Sequence, residues 1–123
     1  ISVRDAGLGA AAANADVVLI DATAVGPDGV IAAAGSRAAA AVAKAAGRHV
    51  VVAAGEATVL PGRMWEALYS ALDGQDDPWD AEYELVPLNL IETMVGPTGA
   101  MDPARAVTRA DCPIAAELLR PLT

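Results

Sequence analysis

The sequence predicts an α/β domain built on a mostly parallel sheet with helices on its faces. Two unbroken apolar runs, "DVVLID" at 16–21 and "HVVVAA" at 49–54, have the form of strands covered on both sides. An alanine-rich helical stretch lies between them, and another precedes the first. The connections are short. That alternation implies β-α-β units with right-handed crossovers and a parallel sheet.

Each element follows in order. "ISVR" at 1–4 reads as a short strand, and "GLGAAAANA" at 7–15 as a helix of good formers. After the first long strand, "GPDG" at 26–29 marks a turn in the loop that feeds the next helix. Ser36 reads as the N-cap of a helix running to Ala46, and Gly47 as its left-handed stop. "MWEALYSAL" at 64–72 is one helix, and "DGQDDPWDAEYE" at 73–84 an acidic loop. "LVPLNLIETMVGPTG" holds a strand, a helical step or turn, a second strand and a tight turn. Asp102 and Pro103 form a cap and first-position pair ahead of a short helix. A further helix is expected near Ile114–Leu119. There is no internal repeat.

Composition bounds the function. At 123 residues the chain is expected to be one domain, 1–123, with a modest core. Hydrophobic residues make up 54% and Phe is absent, so the core is built from small aliphatics. A net charge of −8 argues against unspecific nucleic-acid binding and against anionic membrane surfaces. The single cysteine, Cys112, excludes an internal disulfide and a cysteine-cluster metal site. A reducing, cytoplasmic setting is the simplest expectation. No apolar run is long enough for a membrane span. The chain lacks an initiator Met and opens in a strand-like run, so it is expected to be part of a longer protein.

The candidate residues gather where strands end. Asp21 closes the first long strand, and open α/β sheets bind ligands outside the carboxyl ends of their strands. There it either contacts a ligand or moves a proton, or it caps the loop by accepting backbone N–H bonds. Gly35, Ser36 and Arg37 open a helix, whose free amides and dipole, with a cation, suit a phosphate. The plain reading is an N-cap beside a solvated arginine. "GLGAAA" at 7–12 matches a dinucleotide fingerprint only weakly, since the helix after it is too short. Glu56 and Thr58 follow the second long strand, either lining a pocket with Asp21 or lying in a solvated loop. His49, the only histidine, sits at the opposite end of its strand with no triad or metal partner. Trp65 and Trp79 read as core or interface packing. The acidic run 73–84 is a solvated loop or, less readily, a docking patch for a basic partner.

"ADVVLIDATAVGPDGVIAAAGS", "VVVAAGEATVL" and "YELVPLNLIETMVGPTG", in this order and spacing, resemble the C-terminal half of the translation initiation factor 2B α/β/δ-like family. That family includes methylthioribose-1-phosphate and ribose-1,5-bisphosphate isomerases. The resemblance covers about residues 1–105 and implies a Rossmann-like three-layer domain that forms a homodimer. No cofactor and no metal are expected. The family's Gly-Ala-Asp at the strand tip is here Asp21-Ala22-Thr23, so Asp21 is out of register with the family aspartate. The Asn-Lys pair before the helix is replaced by alanines, and Cys112 does not match the isomerases' catalytic cysteine. The resemblance therefore implies a non-catalytic regulatory or interaction domain, with a sugar phosphate or nucleotide as its expected small ligand. The alternative is an aldose–ketose sugar-phosphate isomerase with a diverged site, in which Asp21 is catalytic. A nicotinamide-dinucleotide domain is a weaker third reading.

Overall fold

The structure is a computed structural model that describes residues 1–55, 58–97 and 99–107. Its elements are α1 (Leu8–Asn14), β1 (Val17–Asp21), β2 (Ala24–Gly26), β3 (Gly29–Ala33), α2 (Ser36–Ala45), β4 (His49–Ala53), α3 (Gly62–Asp73), β5 (Tyr83–Pro87), β6 (Thr93–Gly96), β7 (Gly99–Met101) and α4 (Pro103–Ala106). The class is α/β, as the sequence predicts. Glu56, Cys112 and the helix expected near Ile114–Leu119 lie outside the described residues.

The strands form two sheets. One has four strands in the order β1-β4-β6-β7, and the other three, in the order β2-β3-β5. β1 and β4 run parallel, Val17 opposite His49 and Ile20 opposite Val52. β6 continues the parallel set, and β7 closes it antiparallel. The valine-rich runs thus become neighbouring parallel strands, but β1 is not covered on both sides as their form implies, since Ile20 alone of its residues is buried.

The second sheet is not in the sequence reading. β2 and β3 make an antiparallel hairpin across the 26–29 turn, and β5 pairs antiparallel with β3. Gly29 takes φ +152° and would press a Cβ to 2.2 Å from the Val86 carbonyl oxygen, so the turn needs glycine there. "ISVR", read as a strand, forms none and is exposed. None of the described strands pairs with it to hold it extended.

Packing sets the order of layers. Ala39, Ala40 and Ala43 of α2 are buried with Ile20, Val50, Val52 and Met94 in one core that also takes Val25, Val30 and Val86 of the second sheet. Alanine on the inner face lets α2 sit close to both sheets. Beyond the second sheet, α3 buries Trp65 against Ala24 and Ile31. Trp65 donates its indole N–H to Asp28 Oδ2 at 2.7 Å, which satisfies a side chain only 1% exposed. The far face of the four-stranded sheet has no such cover among the described residues. Leu19 is 68% exposed there, Val17 51% and Val95 40%.

Helix ends follow local chemistry. Gly47 has φ +72°, and the amides of Gly47 and Arg48 return to Lys44 and Ala43 carbonyls, closing α2 as expected. Asp102 accepts from the Ala104 amide at 2.8 Å and Pro103 takes the first turn of α4.

Candidate functional site

The parallel strands β1, β4 and β6 end at Asp21, Ala53 and Gly96, so this edge is where the fold places ligands. Their order runs straight from β1 to β4 to β6, without a reversal that would open a crevice among the described strands. The Ala22 amide reaches Ala53 O and the Ala54 amide reaches Val95 O. The parallel ladder thus continues one residue past the tips of β1 and β4.

Asp21 does not cap its loop. The following amides go to backbone carbonyls, Thr23 to Ile31 among them, and no described residue bonds the Asp21 carboxylate. Strand alternation puts Asp21 on the same face as Val17 and Leu19, opposite to buried Ile20. That is the open face of the sheet, and α2 packs on the other.

Gly35, Ser36 and Arg37 do begin α2, but Gly35 rather than Ser36 holds the cap position, at φ +97°. Ser36 makes no capping bond. The anion at this helix start is Glu84 of β5, whose Oε2 accepts from the Gly35 and Arg37 amides at 2.9 Å each. The free amides and dipole that would suit a phosphate are thus already answered by a carboxylate from within the chain. Arg37 also lines a groove between α3 and β5.

Thr58 folds its hydroxyl back onto Gly55 O at 2.7 Å, and its own carbonyl accepts from the Val25 amide. It serves the loop that carries Val59 against β2. Asp21 and the Gly35–Arg37 helix start lie on opposite faces of the four-stranded sheet, so the structure does not bring these two candidates together. His49 pairs with Glu92 at 2.6 Å at the amino end of β4, away from the strand tips. No group of three or more His, Cys, Asp or Glu among the described residues could hold a metal ion. No described helix is long and apolar enough to cross a membrane.

Glu84 is the site residue the sequence reading passes over. It stands in what reads as the end of an acidic loop, and its partners lie 49 and 47 positions away in the chain. Only the pairing of Ala32 with Glu84 across β3 and β5 brings them together.

No protein-family model matches the chain, and no curated protein matches it. The fold is a known one, an α/β domain shared with solved translation-factor structures. It is similar to eIF2B beta from Chaetomium thermophilum, at 18% identity over 84% of this chain and 30% of that one, with a TM-score of 0.64. It is similar also to the delta subunit of eIF-2B from A. fulgidus, at 22% identity, 85% and 36% coverage and a TM-score of 0.61. A third likeness is to translation initiation factor eIF-2B from Pyrococcus horikoshii OT3, at 16% identity, 85% and 40% coverage and a TM-score of 0.64. The chain spans about a third of the length of these structures. The likeness in fold agrees with the resemblance read from the residues.

Proposed function

We propose that this chain is a non-catalytic regulatory or interaction domain of the eIF2B type, and that it works by pairing with a second copy through the open face of its four-stranded sheet. One observation carries the reading. Val17, Leu19 and Val95 stand exposed on a face where Leu19 lies opposite Val51, and Val95 opposite Ala53. A parallel sheet normally has both faces covered. A two-fold pair lays the same patch against itself, so one apolar face serves both copies. The eIF2B character of the proposal comes from the likeness in fold.

The isomerase reading requires a proton donor and acceptor within hydrogen-bond reach of one substrate. Asp21 faces away from the helix start that would hold the phosphate, and that helix start holds Glu84. This separation supports a domain that binds rather than one that turns over substrate. The test is to incubate the purified chain with methylthioribose-1-phosphate or ribose-1,5-bisphosphate and follow the ketose by NMR. No product is expected. Turnover that Asp21→Asn abolishes would overturn the non-catalytic reading.

A further inference from the structure

At the other end of the layer stack, far from the open sheet face, α3 and β5 enclose a groove of about 270 Å³. Its lining joins apolar and aromatic residues (Tyr69 and Leu72 from α3, Pro78 from the following turn, Tyr83 and Leu85 from β5) with the polar Asp73 and Gln75. Tyr69 stacks on buried Trp65 with ring centroids 6.1 Å apart, so that wall is fixed by the core. Tyr83 is 45% exposed.

The rim is acidic. Segment 73–84 carries Asp73, Asp76, Asp77, Asp80, Glu82 and Glu84 and no basic residue. Glu84 is committed to the start of α2, and Arg37 is the one cation among the described residues that line the groove. The carboxyl end of α3 points the negative end of its dipole at the same place. In this segment, next to the lining residue Pro78, Trp79 is 83% exposed on the short 3-10 turn Pro78–Asp80. The carboxylates do not form a described metal site.

A groove with apolar and aromatic side chains in its lining, a carboxylate-rich segment along it and an aromatic face open to solvent share a complement. We propose that this groove docks a basic, apolar peptide segment of a partner protein. Apolar side chains of that segment fill the space between Tyr69, Tyr83 and Leu85. A lysine or arginine lies over the Trp79 ring, where the ring quadrupole and the neighbouring carboxylates both attract a cation. Nucleic acid is repelled by the same field.

The test is fluorescence anisotropy with a labelled short peptide of alternating lysine and leucine. Two control peptides replace lysine by glutamate or leucine by serine. The lysine–leucine peptide should bind in the micromolar range, weaken with added salt, and lose about tenfold or more in affinity to Trp79→Ala and to Tyr83→Ala, as anchor residues do. Asp5→Asn, at an exposed residue that does not line the groove, should bind it as the wild type does. Failure of the peptide to bind, equal binding of either control, or unchanged affinity in Trp79→Ala would each overturn the proposal. Trp79 is exposed, so its replacement leaves the core intact, and any loss reads on docking.

Discussion

Two glycines show how differently one residue type is used. Gly47 has φ +72° and open space where a Cβ would stand. Gly47→Ala therefore strains only the backbone, and should cost about 1 kcal/mol. Gly26 has an ordinary φ, yet a Cβ there would lie 1.9 Å from the Trp65 ring. Trp65 is buried and tied to Asp28, so the ring cannot step aside without losing that bond. Gly26→Ala should cost more than Gly47→Ala, about 3 kcal/mol or above. Urea unfolding midpoints of the two variants check the ordering. Gly47 was legible in the sequence because a helix stop is a local signal. The need for Gly26 was not, because the ring that demands it comes from α3.

At the scale of elements, the same contrast decides what could be read. The parallel pair β1 and β4 is written into unbroken valine-rich runs, and the Asp102–Pro103 start of α4 into two adjacent residues. The β2–β3 hairpin hides in a stretch that reads as a turn between strand and helix. Its strands are short, and they persist because β5 pairs with one side and α3 packs Trp65 on the other face. The start of α2 is the clearest case. Ser36 looks like a cap, but Glu84 provides the acceptor from a distant strand. Glu84→Ala leaves two helix amides without their acceptor, and should destabilise the fold by about 1 kcal/mol. Thermal melts measure it. Ser36→Ala, which removes no described bond, should leave the midpoint nearly unchanged. A larger loss from Ser36→Ala than from Glu84→Ala would contradict the assignment.

The whole molecule stacks in one direction: open sheet face, four-stranded sheet, shared core with α2 and the second sheet, then α3. The candidate residues distribute along that stack instead of converging. Sequence reasoning placed Asp21 correctly at a strand tip, but which face a strand-tip side chain takes depends on register with the core. One face of the parallel sheet meets α2 and the second sheet, and the other presents Val17, Leu19 and Val95 to solvent. The account's central claim is that this face is where two copies meet. Sedimentation velocity over a range of micromolar concentrations, comparing the wild-type chain with Leu19→Lys, tests it most directly. Leu19 is 68% exposed, so lysine there leaves the core alone. The account predicts a dimer for the wild type and a folded monomer for Leu19→Lys, because a two-fold face would bring two ammonium groups together. A wild-type chain that stays monomeric throughout, or a Leu19→Lys chain that dimerises as tightly as the wild type, would contradict it.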